Sequence, residues 1–499
     1  MSENNNSSRQ ERIIDTSEIA ERYARHPLAT LETYQFFNQT SEVAVQSRQE
    51  FIDCVVSGKE MVAPKFDYPD ITLDEMLHHR DTLTELLGEF PIHRELTALE
   101  RITRENITNR LDEISIMLLT KIQSEMSTSD PEYERVSAQL GINMREVYGQ
   151  PDKEHFRGIL GYRLQQLAEG MTKHTDVPVE VANAWQFLQV RLPHNLPIDT
   201  PYQMRPETMA WYGAQLAKRM EPSREAIAAT IAQGEVVVDD EGMVDALGLV
   251  WLTNDALHAR GFSEWSAELS DKTNIDTLQA TKKIYIPKNY RKNLDYVDQV
   301  ILGHEIDQHV ARRENGDSSG ITELSGTGTH GYLGPEEGAG KVNEGMIKGR
   351  ISNEDSAFGF FISGGLALGF DNTSRGRTMR ETCELVWRIN FVADYLSGAS
   401  GGSDEDIRRS ITKATLHMLR IYRGTDGRTP GVIFPKDTTT YYQGSVEVMR
   451  KWDRDMEMMT EEERRFEHQV ERSAKINPGR RDHHAIAADN LRNNPYNVR

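Results

Sequence analysis

Leu302-Gly303-His304-Glu305-Ile306-Asp307-Gln308-His309 is the stretch on which the reading of this chain turns. Two histidines flank a glutamate, and after a glycine-rich interval comes a second acidic element, Pro335-Glu336-Glu337-Gly338-Ala339-Gly340. Neutral imidazoles and carboxylates suit zinc, and a catalytic zinc takes three protein ligands and leaves its fourth position to water. A carboxylate beside that water can take its proton as the water attacks a carbonyl. The apolar lead-in Tyr296-Val297-Asp298-Gln299-Val300-Ile301-Leu302 and the downstream Glu-Glu-Gly favour this reading over a surface helix that happens to carry two histidines.

The usual zinc-protease helix is His-Glu-x-x-His, with both histidines at i and i+4 on one face. Here the step is i to i+5, which on a regular α-helix leaves the two side chains about 140° apart. One π-type turn absorbs the extra residue and returns both imidazoles to one side, and such bulges concentrate at functional sites. The spacing therefore argues against a regular enzyme of that class but not against metal binding. Glu336 to Lys348 is expected to form a second metal helix. Glu344 rivals the acidic pair as third ligand, although it lies about two turns beyond Glu337.

These residues resemble the tyrosine/histidine carboxypeptidase-like family, which includes the microtubule-associated tyrosine carboxypeptidases. That family carries His-Glu-Ile-Gly-Thr-His and Gln-Glu-Gly-Leu-Ala elements, matched here by His304 to His309 and by Glu336-Glu337-Gly338-Ala339. Its later Arg-Gly, Phe-Thr-Lys-Asp and Tyr-Leu-x-Gly pattern is matched by Arg423-Gly424, Phe434-Pro435-Lys436-Asp437 and Tyr441 to Gly444. The resemblance covers roughly residues 235 to 450, with the motifs in family order. It implies zinc on His304, His309 and Glu337, with Glu305 as general base. The departures are Asp307-Gln308 for Gly-Thr, Glu336 for Gln, Ala339-Gly340 for Leu-Ala and Pro435 for Thr; none removes a ligand. A more distant likeness to the dipeptidyl-peptidase III family, whose second glutamate of a Glu-Glu pair binds zinc, favours Glu337 over Glu336.

The chain has 499 residues, 37% hydrophobic and 27% charged, long enough for more than one ordinary domain. No apolar run approaches the roughly eighteen residues of a membrane span. Met1 to Gln10 has no apolar segment of the signal-peptide kind and reads as a disordered lead. Two cysteines, Cys54 and Cys383, are too few for a disulfide framework and fit a cytoplasmic location. A net charge of -20 opposes nucleic acid and anionic membrane as partners. It also argues against the strongly acidic polypeptide tails on which the microtubule branch of the family acts.

Outward from the motif, apolar residues at spacings of three and four make the region from Ile13 to about 230 helical, a scaffold without chemistry of its own. Glu235 to Asp240, Trp265 to Leu269 and Ala280 to Pro287 read as strands. Lys282 to Ile286 is the candidate edge for pairing with an extended substrate, with a supporting hairpin as the alternative. In the loop from 317 to 332, His330 or Tyr332 is placed to stabilise an oxyanion, unless His330 is simply solvated. Phe358 to Phe370 reads as packed core. A carboxypeptidase needs a cation for the terminal carboxylate, and Arg423 and Lys436 are the candidates, with Tyr441 or Tyr442 as phenolic donor or wall. Trp452 to Lys475 reads as a charge-dense solvated helix, and the tail from Asn477, with His483-His484, as flexible.

The expectation is an α+β, mostly helical protein with a small sheet beside the metal helix. Its boundaries are a lead at 1–12, a helical region at 13–230, a zinc metallopeptidase domain at 231–470 and a tail at 471–499. The expected activity is a Zn2+-dependent hydrolase of the carboxypeptidase type, acting on a peptide or protein C-terminus, aromatic residues included. The alternatives are an endopeptidase or dipeptidyl peptidase with the same zinc, and a non-catalytic zinc-stabilised scaffold.

Overall fold

Periodic apolar residues and good caps build the N-terminal half as helices, as the sequence predicts. They are α1 (Thr16–Ala24), α2 (Glu42–Val56), α3 (Leu73–Gly88), α4 (Ala98–Glu125), α5 (Tyr133–Tyr148), α6 (Lys153–Lys173), α7 (Val179–Arg191) and α8 (Pro206–Ala232). Thr97 and Glu100 close a capping box at the start of α4, and Asp152 caps α6. The computed structural model describes residues 16–498, apart from 30–32, 38, 40, 273, 327, 352–355, 373–374 and 494–497. The expected lead at 1–12 lies outside the described residues.

After α8 come β1 (Met243–Asp245), α9 (Ala246–Ala259), β2 (Ser266–Ser270), β3 (Asp276–Leu278), β4 (Lys283–Pro287) and β5 (Arg291–Asn293). β1 pairs with β5; β2, β4 and β3 form a mixed sheet in that order. The short turn α10 (Leu294–Tyr296) runs into a π-helix, Val297–Val310, which continues as α11 (Ala311–Ser318). Then follow α12 (Leu333–Ile347), α13 (Ser356–Ala367), α14 (Met379–Leu396) and α15 (Asp404–Ile421). A second π-turn, Thr438–Gln443, leads into α16 (Gly444–Met458), α17 (Glu461–Arg472) and α18 (Arg481–Asn493). No helix among the described residues is long and apolar enough to cross a membrane.

Four expectations need correction. Glu235 to Asp240 is not a strand: the Asp239 carboxylate captures the backbone N–H groups of Glu241 and Met243, and the turn so made leaves only β1 to pair. Lys282 to Ile286 is not an edge, because β4 is bonded on both sides, to β2 in parallel and to β3 antiparallel; the edge facing the metal helix is β3. Trp452 to Lys475 is two helices, with Thr460 capping the second, and several of its charges face protein. Lys451 lies 2.7 Å from Asp455, 3.0 Å from Glu467 and 2.6 Å from Glu471. The tail is not loose either, since Ala487, Ala488 and Leu491 of α18 pack with Leu324, Val470, Ala474 and Ile476.

Nor do the cores divide near 230. One apolar core joins residues of α1 to α7, such as Phe51, Ile107 and Phe156, to α12 to α16, including Val342, Phe361 and Trp452. A second joins Leu216, Met220 and Ile227 of α8 to α9, to Ile284 and Ile286 of β4, and to Ile301, Leu302 and Ile306 of the π-helix. The π-helix belongs to the second core and α12 to the first, so the seam between the two cores carries the metal motifs.

Candidate metal centre

The π-helix resolves the i to i+5 problem. Its wider turn brings the imidazoles of His304 and His309 to one side, with ring centroids 5.0 Å apart. Asp307, between the two histidines, is fully buried and meets three guanidinium groups. Arg472 lies 2.9 Å away, Arg219 3.1 Å and Arg260 3.3 Å. Burial favours protonation of this carboxyl, yet the arginines hold it well below the usual range.

α12 crosses the π-helix and delivers Glu337. A Cβ on Gly340 would sit 2.8 Å from the His304 ring, so glycine is what lets α12 come this close. One ligand atom from each of His304, His309 and Glu337 lies within 4.8 Å of the others, and all three residues are buried. Ligand atoms about 2.1 Å from a tetrahedral zinc stand about 3.4 Å from each other. Glu337 Oε2 lies 3.2 Å from His304 Nε2 and 3.7 Å from His309 Nε2, which fits such an ion.

The remaining nitrogens are tied to carboxylates, the arrangement that orients zinc-binding histidines. His304 Nδ1 is 2.6 Å from Glu344 Oε1, and His309 Nδ1 is 2.6 Å from Glu336 Oε1. Glu344 and Glu336 thus lie against the Nδ1 atoms, and Glu337 is the carboxylate grouped with the two histidines. Glu344 is steadied by Lys341 at 2.8 Å, while Glu336 is paired with Lys475 at 2.7 Å and Arg312 at 3.3 Å. The electrostatics favour positive charge at the centre. Burial pushes the His304 imidazole down, but bonds to Glu337 and Glu344 outweigh it and lift the group to about 10. Glu337 is held well below the carboxylate range, against its burial, by His304, His309 and Lys436. Burial likewise raises Glu336, and Lys475, His309 and Arg312 bring it down to about 2.

Glu305 is not part of the ligand group. Its Oε2 accepts a hydrogen bond from Thr277 Oγ1 at 2.6 Å, a contact from β3 that leaves the other oxygen for a different partner. No protein-family model, curated protein or solved structure matches this chain.

The downstream motif also reaches the centre, in part. Lys436 is buried, with Nζ 3.9 Å from Glu337 Oε1 and 3.8 Å from the centroid of the Tyr34 ring. Burial, then the charge of Glu337, raises the Tyr441 phenol well above its ordinary value, and Arg420 Nη2 lies 3.4 Å from its oxygen. Tyr442 instead packs in the core against His155, Phe358 and Phe361. Arg423 is engaged with Asp437 at 3.1 and 3.2 Å, so it stands behind Lys436. His330 is not brought to this group. Its ring lies 2.9 Å from Asn109 Oδ1, in the wall of a separate cleft of about 930 Å³ that Arg101, Glu146 and Arg480 also line. His483 and His484 do not converge: the first meets Thr329 at 3.1 Å and the second Glu467 at 2.7 Å.

Sequence reasoning missed Thr277, Arg312, Lys341, Lys475 and the arginines around Asp307. Only Lys341 had a local signal, its i to i+3 spacing from Glu344 on a helix.

Proposed function

We propose that this protein is a zinc-dependent peptidase of the carboxypeptidase type, consistent with the family its motifs resemble. The observation that carries the reading is the ligand count together with Glu305. Two histidines and one glutamate make a three-ligand set of the catalytic kind, whereas structural zinc is enclosed by four protein ligands. A purely structural site has no use for a further carboxylate held by Thr277 next to it.

A zinc ion bound there supplies a Lewis acid and a water of lowered pKa. Glu305 is the general base: Thr277 fixes Oε2, and Oε1 takes the water proton and returns it to the leaving amine. Zinc would be held by His304, His309 and Glu337, and Glu344 and Glu336 orient the two imidazoles through their Nδ1 atoms. Lys436 and Tyr441, on the Glu337 side, recognise the free C-terminal carboxylate, and Arg423 steadies Lys436 through Asp437. The edge strand β3 aligns the peptide by strand addition. Gln279, in the turn that follows β3, has a buried amide oxygen without a hydrogen-bond partner among the described residues. It is offered to a substrate N–H.

The test is incubation of the purified protein with a diverse peptide mixture, with and without chelator, and mass-spectrometric reading of the cut ends. Loss of single C-terminal residues, blocked by chelator and by C-terminal amidation, is the expected result. Internal cuts or release of N-terminal dipeptides would replace the carboxypeptidase assignment, and no cleavage by zinc-loaded protein would overturn the peptidase reading.

A further inference from the structure

The segment from Arg472 to Ile476, at the end of α17, lies about 165 residues beyond the metal helix, yet several of its polar groups are spent on that helix and its partners. Arg472 is bonded to the carboxylate of Asp307 and, at 3.1 Å, to the Asp307 carbonyl oxygen. Its own carbonyl accepts from Asn315 Nδ2 at 2.7 Å. Arg312, one turn beyond His309, donates to the carbonyls of Ala474 at 3.1 Å and Ile476 at 2.8 Å. Between those two residues Lys475, 1% exposed, sends its ammonium to Glu336 Oε1 at 2.7 Å, and the same oxygen lies 2.6 Å from His309 Nδ1. Thr329 N–H donates to the Lys475 carbonyl at 2.9 Å, which fixes the segment from its other side.

We infer that the Arg472–Ile476 segment is a positioning element of the metal centre. Lys475 acts through Glu336 on His309, and Arg472 acts through Asp307 on the π-turn that separates the two histidines. The inference rests on reading His304, His309 and Glu337 as a metal centre, and it makes residues far outside the ligand motifs a condition for tight metal binding. Stability alone is a poor reason for this arrangement. Buried ion pairs contribute little net stability compared with apolar groups of similar volume, because each charge must leave water. A carboxylate that orients a metal-bound histidine is another matter, since losing such a partner typically lowers metal affinity 10- to 100-fold. The two supports are unequal: the side chain of Glu344 is 18% exposed and water can replace Lys341, but Glu336 is fully buried, and besides His309 it is Lys475 and Arg312 that meet its charge among the described residues.

The experiment uses full-length protein and two readouts that need no turnover: zinc Kd by chelator competition, and the visible spectrum of the Co2+-substituted protein. Lys475→Met is expected to raise the zinc Kd about 10- to 100-fold and to change the cobalt spectrum. In a Glu336→Gln background, Lys475→Met is expected to add little, because the lysine acts through that carboxylate. A Lys475→Met protein with wild-type zinc Kd and cobalt spectrum would overturn the inference, as would full additivity with Glu336→Gln. Should Lys475→Met not fold, Lys475→Arg keeps the charge but alters its reach: a several-fold rise in Kd with a changed spectrum supports the inference, and wild-type values overturn it. Wild-type protein that binds no metal would remove the centre itself, a failure distinct from a variant that matches the wild type.

Discussion

Replacing Gly338 by alanine tests the placement of Glu337 with a single methyl group. A Cβ at this position would lie 2.3 Å from the Gly444 carbonyl carbon, 2.5 Å from its oxygen and 2.7 Å from Ser445 N. These are backbone atoms at the start of α16, so no side chain can swing aside. Ordinary contact begins at 3.4 Å, and the two helices must therefore part by about 1 Å. Two effects of opposite sign then act on stability. Alanine gains about 1 kcal/mol of helix propensity over glycine, while overpacking costs about 1–3 kcal/mol. For a chain of about 500 residues unfolding as one unit, each kcal/mol moves Tm by only about 1 °C, so melting is a blunt readout. Zinc affinity is the sharp one, because ligand distances tolerate only about 0.2 Å and Glu337 is the adjacent residue. The expected outcome is a rise in zinc Kd of about tenfold or more with a Tm change of a few degrees at most. Isothermal titration against a competing chelator measures the first and calorimetry the second. A Gly338→Ala protein with wild-type zinc affinity would show that α12 need not approach this closely, and the geometric argument for Glu337 as third ligand would fall.

Glu305→Gln is expected to reduce turnover by about 10²- to 10⁴-fold, the usual worth of a general base, with zinc content unchanged by elemental analysis; near-normal turnover would remove Glu305 from the mechanism. Thr277→Val should lower turnover about tenfold to a hundredfold, the loss of one hydrogen bond to a charged group, and Thr277→Ser should retain activity; equal rates for all three would mean that Thr277 does not orient the base. Acid should destabilise the fold through His26 and His468. Burial, helped by His79 for the first and by Arg219 and Arg472 for the second, lowers both to about 4. The unfolded chain binds these protons near pH 6.5 and the folded chain does not, so stability falls as pH drops from 6.5 toward 4. At pH 5 the loss is about 2 kcal/mol per histidine. Urea unfolding at pH 7 and pH 5 reads it, and replacing His26 by Gln should remove its share; a variant with an unchanged acid slope would exclude that histidine as a source.

The metal motifs were legible because their information is local. Two histidines and a glutamate fall within six residues, and Glu337 falls on an acidic pair that opens a helix. β4 was legible for a similar reason, as a run of strand length rich in β-branched and aromatic residues. The rank of β4 within its sheet was not, since pairing order depends on partners and not on the strand's own residues. The same holds for Arg423, which reads as an available cation in the motif, while Asp437, fourteen residues on, neutralises it in the fold. The helix read from Trp452 to Lys475 includes Arg472, and Lys451 directly precedes it. Helix periodicity could not say whether their polar side faces water or another charged surface, and here it meets Glu467 and Glu471 for Lys451 and Asp307 for Arg472.

Asp307 connects the unusual spacing to the rest of the molecule. A π-turn leaves helical hydrogen bonding less regular, so an extra residue persists only where the surroundings fix it. In this protein Asp307, within the π-helix between the histidines, is a carboxylate with no exposure to solvent, met by guanidinium groups from α8, from the end of α9 and from α17. Each of those elements therefore bears on the register that places His304 and His309 on one side. The stretched motif and the cationic cluster meet at Asp307, and the candidate metal centre is tied through it to α8, α9 and α17 as well as to the three residues that could hold the ion.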